Sequence, residues 1–205
     1  MTAATDLDKV AADLFIWQAY DPAVKADLSS SAIVTAHGIF VIDPIPLRKA
    51  PLAQLHGQAV IAGVIVTNAN HLRASCQFAE QFSVPILALR AVFPDRTPPQ
   101  FSQLADGDKI CDELNVIGVE GAVAGEIVLH CASGGGTLIA GDALINFQPY
   151  GFTFLPGKYC SNEKEMRRSL RKLVTYKSER MLFAHGLPIL SKASARLRQL
   201  LDGDL

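Results

Sequence analysis

One short polar stretch, Thr67 to Arg73, lies between a predicted strand and a predicted helix. Residues 59–66 before it are almost all apolar or β-branched, and the run is too short for an independent helix, which is typical of a buried central strand. Residues 72–82 after it carry apolar side chains at helical spacing. Polar side chains at the carboxyl end of a strand are where an α/β protein usually places its binding site. The stretch therefore indicates either a functional turn or a helix cap, with Asn68 or Asn70 as the N-cap residue.

Strands and helices are predicted along the whole chain, and an aromatic-rich segment at residues 147–159 is predicted to be an ordered loop. The strands fall into two groups, with helices at each end of the order. This order favours the α/β class and a four-layer helix–sheet–sheet–helix (αββα) arrangement, with residues 1–205 as one domain. The predicted strands are 10–20, 31–35, 39–42, 59–66, 84–89, 114–119, 126–130, 137–140 and 181–184, and the predicted helices are 51–57, 72–82, 162–176 and 188–201.

Composition limits the partners that we expect. The apolar share of 49% and the mean hydropathy of +0.22 suit sheets that are covered on both faces. No apolar run reaches the roughly 18 residues that a membrane helix needs, and no signal peptide is evident, so we expect a cytoplasmic protein. The net charge of −1 indicates neither nucleic acid nor a membrane surface as a partner. The locally basic segment 163–180 is interpreted as the solvated face of a helix, with an anionic partner as the alternative.

The four cysteines are scattered and form no CxxC pair, so we expect reduced and mostly buried thiols. Cys131 follows His130, but neighbours on a strand point to opposite faces, so a catalytic pairing of the two is not favoured.

The polar stretch, Thr-Asn-Ala-Asn-His-Leu-Arg, resembles the metal-binding turn of the metallo-β-lactamase superfamily, Thr-His-x-His-x-Asp-His. Three further segments resemble family elements in family order. Residues 38–43 resemble the preceding strand and its Asp43, residues 138–144 resemble the strand that carries the metal-bridging Asp142, and residues 182–188 resemble the last strand with its His185. The resemblance covers nearly the whole chain and implies the αββα fold.

The same resemblance shows where this chain departs from the family. The four ligand positions of the turn hold residues that are poor zinc ligands or none: Asn68, Asn70, Leu72 and Arg73. The loop at residues 131–135 also lacks the histidine that the family carries there, and His130 lies on the preceding strand. Of the usual ligands, Asp142 and His185 remain. We therefore expect no dinuclear metal centre and no bound cofactor, with a single divalent ion on His71, Asp142 and His185 as the alternative.

Without a metal ion, we expect another cation beside Asp142, because burying an unpaired carboxylate costs free energy. Arg73 holds a position that resembles a family ligand position, and its charge is permanent. We expect Arg73 to pair with Asp142, and with Asp43 as a further partner. The competing interpretation is a stabilising polar core without function. His71 falls between ligand positions, so we expect it at the rim of the pocket.

Two functional classes remain open, and the residues do not decide whether the chain is an enzyme. The first is a hydrolase for an ester, thioester or phosphoester, with His185 or His71 as general base and with Arg73, Asn68 and Asn70 as donors to an oxyanion. The second is a non-catalytic protein that binds a small, anionic molecule or serves as a scaffold.

Overall fold

The computed structural model describes residues 1–203 as two compact units, Met1–Leu104 and a second unit that begins at Ala105. The first unit contains a seven-stranded sheet whose strands are neighbours in chain order. Its first four strands pair antiparallel and its last four pair parallel, with β4 common to both sets. The strands are β1 (Asp8–Ala11), β2 (Leu14–Asp21), β3 (Ala26–Thr35), β4 (Gly38–Ile42), β5 (Ile61–Ile65), β6 (Ile86–Leu89) and β7 (Phe101–Leu104).

Helices α1 (Lys49–His56) and α2 (Ser75–Phe82) connect the parallel strands of this unit. Leu55 of α1 and Phe78 of α2 belong to one apolar core with Trp17, Val64 and other sheet residues. All five residues of β4 are buried, which agrees with the expectation that central strands are covered on both faces.

The first unit differs from the sequence prediction at its edges. The predicted strand 10–20 is a hairpin of β1 and β2, and β3 begins at Ala26, well before residue 31. The early part of β3 includes three buried serines, and the composition of such a polar run does not indicate a strand. Strand β7 was not predicted because its sequence, Phe-Ser-Gln-Leu, carries no apolar run or regular alternation.

The second unit contains a five-stranded sheet in the order β14-β11-β10-β9-β8 and a separate two-stranded hairpin, β12-β13. Strands β11 and β14 pair parallel, and the other neighbours pair antiparallel. The strands are β8 (Lys109–Ile110), β9 (Leu114–Gly118), β10 (Ile127–Cys131), β11 (Thr137–Ala140), β12 (Leu144–Phe147), β13 (Gly151–Phe154) and β14 (Arg180–Phe183).

Helices α3 (Glu163–Leu170) and α4 (Ala193–Asp202) complete the second unit. The side chain of Asn162 accepts a hydrogen bond from the Glu165 amide at 3.2 Å and so caps α3. Met166 of α3 and Leu197 of α4 lie in one apolar core with sheet residues such as Val128.

Three predictions for the second unit are corrected. The α-helix expected over 162–176 ends at Leu170 and continues as a 3₁₀ helix to Thr175. Helix α4 begins at Ala193 rather than at residue 188, because Ile189 pairs with Met181 through two backbone hydrogen bonds of 2.8 Å. The expected loop at 147–159 contains strand β13.

None of the helices within residues 1–203 is long and apolar enough to cross a lipid bilayer.

Candidate functional site

The polar stretch after β5 forms a short 3₁₀ turn, Ala69–His71, before α2. Asn68 is fully buried, and its side-chain oxygen accepts a hydrogen bond of 2.9 Å from the Asn70 amide. Asn68 thus caps the 3₁₀ turn, but the N-cap of α2 is Ala74, so the prediction that Asn68 or Asn70 caps that helix is wrong. The Asn70 side chain is exposed. The two asparagines therefore differ in burial, since Asn68 is buried and Asn70 is exposed.

Asp43, at the end of β4, is the centre of a buried hydrogen-bond network in this unit. Its Oδ1 accepts a bond of 2.8 Å from the Thr67 amide, and its Oδ2 accepts bonds from Thr67 Oγ1 at 2.5 Å and from His71 Nδ1 at 2.9 Å. The three residues are 3%, 0% and 1% exposed. Strands β4 and β5 are parallel neighbours, so the residues that follow them meet at one edge of the sheet.

This network assigns the tautomer of His71. Because the Asp43 carboxylate accepts the Nδ1 proton, the neutral ring carries its lone pair on Nε2. A histidine held in this way by a carboxylate is suited to bind a metal or to act as a base. The expectation that His71 lies at a rim is wrong, since the residue is 1% exposed.

Arg73 contacts backbone oxygens in the first unit. Its Nη1 donates to the Ser29 carbonyl at 2.6 Å and to the Asp43 carbonyl at 3.1 Å. The Asp43 carboxylate accepts bonds from Thr67 and His71, and the expected pairing of Arg73 with the carboxylates of Asp142 and Asp43 stays a prediction. Arg73 has φ +38° and Asp43 has φ +48°, values that are uncommon for residues other than glycine and that often accompany functional sites.

Thr67 and Ser30 are structural partners of the site that were not identified from the sequence. The Ser30 hydroxyl donates to the Asp43 carbonyl at 2.7 Å and accepts from the Ile45 amide at 2.8 Å. The run Ser29–Ser31, buried within β3, was the available signal, because buried hydroxyls normally have specific partners.

In the second unit, Asp142 and His185 are brought together. Asp142 follows β11 and His185 follows β14, and these strands are parallel neighbours in the register Ala140 to Phe183. His185 Nε2 lies 3.5 Å from Asp142 Oδ1. The Asp142 side chain is 8% exposed and that of His185 is 21% exposed, so His185 is the more accessible member of the pair.

Glu126 positions Asp142 and was not identified from the sequence. This acid is 1% exposed, and its Oε1 accepts bonds from the Asp142 amide at 2.7 Å and the Ala143 amide at 3.0 Å. It stands next to the apolar strand β10, and a charged residue at a buried strand end was the signal in the sequence.

Gly186 fixes the position of His185. It has φ +99°, and an added Cβ would collide with the Asn146 carbonyl oxygen of β12. The Asn146 amide also donates to the His185 carbonyl at 3.3 Å. Only glycine combines this backbone conformation with so close an approach, so the turn after β14 holds His185 against the β12–β13 hairpin.

His130 has a structural environment on β10. Its Nδ1 lies 3.3 Å from the Asn115 amide nitrogen, its Nε2 lies 3.3 Å from the Lys177 carbonyl, and its ring packs on Tyr176 with centroids 4.9 Å apart. Burial lowers the pKa of His130 below its ordinary value, so the neutral form is favoured. The expectation of mostly buried thiols is corrected as well, since Cys76 is exposed and of the four only Cys131 is buried.

The structure therefore joins Asp43 with His71 in the first unit and Asp142 with His185 in the second. The expected meeting of Asn68, Asn70 and Arg73 with Asp142 and His185 stays a prediction, and so do their catalytic and binding roles.

Comparison with known proteins gives the family. The sequence pattern of the metallo-β-lactamase superfamily matches residues 7–203. Among solved structures, VMB-1 is similar with a TM-score of 0.77 and 13% identity, covering 100% of this chain and 99% of that chain. The metallo-β-lactamase from Pontibacter korlensis is similar with a TM-score of 0.72 and 15% identity, over 96% of this chain and 98% of that chain.

A third similar structure is TTHA1623 in a di-iron-bound form, with a TM-score of 0.63 and 19% identity over 83% of this chain and 92% of that chain. The curated proteins contain no significant match. At these identities the structures indicate the fold alone, which agrees with the expected αββα class. Because the family pattern spans almost the whole sequence, this chain belongs to the metallo-β-lactamase superfamily.

Proposed function

We propose that this chain is a hydrolase of the superfamily that works with one divalent metal ion instead of two. Its substrate class is an ester, thioester or phosphoester. The residues do not fit a dinuclear centre. At the family ligand positions, the buried Asn68 side chain caps the Asn70 amide and Arg73 donates to two carbonyls, while Leu72 has no donor atom. These side chains cannot supply the nitrogen and carboxylate ligands that a second ion needs.

The distance between Asp142 and His185 is the observation that carries the proposal. Two ligand atoms that each lie about 2.0–2.1 Å from a tetrahedral zinc are about 3.3–3.4 Å apart. Asp142 Oδ1 and His185 Nε2 are separated by 3.5 Å, which suits two ligands of one ion with little movement. Glu126 holds the backbone at Asp142, and Gly186 fixes the turn at His185, so the pair is preorganised.

Two ligands do not complete a site, and we propose His71 as the third. The support is chemical, because Asp43 holds Nδ1 and leaves the Nε2 lone pair as the ligating atom. When bound, such an ion would lower the pKa of a coordinated water molecule toward neutral pH.

The remaining residues would orient the substrate. Asn70 is an exposed residue whose amide can donate to a developing oxyanion. Arg73 carries a permanent positive charge next to the Asp43 carbonyl. Both features favour a substrate that is anionic or becomes so during the reaction.

The test is the metal content of tag-free protein, measured after purification and after incubation with excess zinc or manganese. We expect about one ion per chain in the wild type, and a strong loss in Asp142→Asn, His185→Gln and His71→Gln. His37→Gln is the matched control, because His37 is exposed at a hairpin turn. Two ions per chain would contradict the single-metal site, and full retention by the three variants would place the ion elsewhere.

The alternative is a protein that binds a small anion without turning it over. The presence of poor zinc ligands, or of none, at four family ligand positions favours it, because a metal that is weakly held activates water less effectively. Hydrolysis of p-nitrophenyl acetate, a thioester and bis(p-nitrophenyl) phosphate by metal-loaded protein separates the two. Metal-dependent turnover that His185→Gln abolishes supports the hydrolase, whereas stoichiometric metal without turnover of any of the three supports the alternative.

A further inference from the structure

The second unit contains a cavity of about 590 Å³ that none of the candidate site residues lines. Strand β13 contributes Phe152 and Phe154, α3 contributes Arg167, and α4 contributes Arg196, Gln199 and Leu200. The α4 residues are three and four positions apart and so lie on one face of the helix. The volume falls within the range of pockets that hold small ligands. Asp142 and His185 are not among the lining residues.

The charge on the cavity wall is positive. The Arg167 guanidinium pairs with Glu163 Oε1 at 2.5 Å and lies 4.8 Å from the centre of the Phe154 ring, so an acid and an aromatic face already hold it in place. Arg196 differs, because within residues 1–203 no carboxylate lies within ion-pair distance of its guanidinium. An exposed guanidinium without an acidic neighbour retains its full capacity for a bidentate bond to an anion.

The rest of the wall is apolar or neutral. Phe152 is half-buried and packs on Phe183 at a centroid distance of 5.6 Å, and Leu200 is half-buried against the core of the second unit. Gln199 adds an amide that can donate or accept. A ligand that fits both halves of this wall carries one anionic group and one apolar body.

The geometry points to a second binding site in this cavity, for a small organic phosphate or carboxylate with an aromatic or acyl body. Arg196 binds the anionic group, and the side-chain amide of Gln199 forms a hydrogen bond with the same group. Phe152 and Leu200 contact the apolar body. Most cations of the basic segment 163–180 have partners within the second unit, such as Lys172 with Glu120 at 2.9 Å and Arg180 with the Gly134 carbonyl at 2.7 Å. Arg196 is therefore a better anchor for an anion than the cations of that segment, although an anionic partner of the segment was the alternative interpretation of the sequence.

Phenylphosphonate is a suitable probe, because no ester bond can be cleaved and both halves of the expected ligand are present. Binding is measured by isothermal titration calorimetry with the metal-free wild type, so a failure of the metal proposal does not affect the result. We expect saturable binding, weakened about tenfold in Arg196→Gln because a charge-assisted hydrogen bond is lost. Arg198→Gln is the matched control on the same helix, since Arg198 lies outside the cavity and donates to the Val174 carbonyl.

The apolar half is tested with Leu200→Ala and with inorganic phosphate. We expect Leu200→Ala to weaken phenylphosphonate several-fold and to leave phosphate binding within twofold, because phosphate has no apolar body. Benzoate separates carboxylate from phosphate ligands, and saturable binding of either anion that requires Arg196 supports the site. No saturable binding of either probe, or equal effects of Arg196→Gln and Arg198→Gln, would overturn the proposal. It would also be overturned if His185→Gln abolished binding while Arg196→Gln left it unchanged.

Discussion

His71 donates a hydrogen bond of 2.9 Å from Nδ1 to Oδ2 of Asp43, although 28 positions separate the two residues in the chain. The bond joins the end of β4 to the turn after β5. The bond holds the imidazole ring of His71 in one orientation, although His71 falls between the ligand positions of the family motif. A carboxylate in this role raises the basicity of the opposite nitrogen and holds the ring plane.

The first prediction concerns Asp43→Asn. The carboxylate accepts three hydrogen bonds from Thr67 and His71, and the amide can replace them only in part. We expect the free energy of unfolding to fall by about 2–3 kcal/mol, since hydrogen bonds to buried charged groups are among the stronger ones. Urea unfolding measures the change.

The same variant should bind zinc about 10- to 100-fold more weakly, because the ring of His71 loses its orientation. A chelator competition titration measures this. Asp27→Asn, at an exposed position of β3, is the control. Equal behaviour of the two variants would show that Asp43 does not organise the site.

The second prediction concerns Arg73→Met. The change keeps much of the aliphatic stem but removes the donor to the Ser29 and Asp43 carbonyls. We expect a loss of about 2 kcal/mol in the free energy of unfolding, because the Ser29 carbonyl loses a charge-assisted bond of 2.6 Å. Arg90→Met is the control, since Arg90 is exposed and makes one long bond of 3.5 Å to the Pro94 carbonyl. A difference below about 0.5 kcal/mol between the two would mean that the Arg73 bonds add little.

The third prediction separates backbone strain from collision at Gly186. Gly151→Ala meets no atom within 4 Å, and its φ of +66° is close to the left-handed helical region, so we expect a cost of about 1 kcal/mol. Gly186→Ala adds a collision with the Asn146 carbonyl, and we expect at least twice that cost. Thermal and urea unfolding of both variants give the comparison. Equal costs would show that the backbone near Asn146 moves easily.

The fourth prediction concerns pH. Hydrogen bonds from Ser169 and Lys172 lower the pKa of Glu120 to about 2, from an ordinary value of 4.5. Because the folded pKa is the lower one, the stabilisation is complete above pH 4.5 and is lost as the pH falls toward 2.

Glu120→Gln should therefore unfold with a weaker dependence on pH in this window, measured by urea midpoints at several acidic pH values. The side chain is 55% exposed, so solvent screening limits the effect to about 1 kcal/mol or less. Glu80→Gln, on the exposed face of α2, is the control. An unchanged pH dependence in Glu120→Gln would contradict the lowered pKa.

Local pattern was sufficient for much of the fold. The apolar run before Thr67 and the helical spacing after it predicted β5, the turn and α2, because burial and periodicity are properties of neighbouring residues. Patterns failed where a strand depends on its partner. Strand β7 pairs with β6 although its own sequence has no strand signal, and β13 pairs with β12 inside a segment that was expected to be a loop.

The candidate site follows the same division. The sequence by itself determined which residues stand after the strands, namely Asp43, Asn68, Asp142 and His185. The tertiary structure decided what those residues contact. The Asp43 carboxylate bonds to His71 while the Asp43 carbonyl accepts from Arg73, and Asp142 is anchored by Glu126, because hydrogen-bond partners distant in sequence are set by which strands become neighbours. That choice depends on the packing of the whole sheet, which no local window of sequence contains.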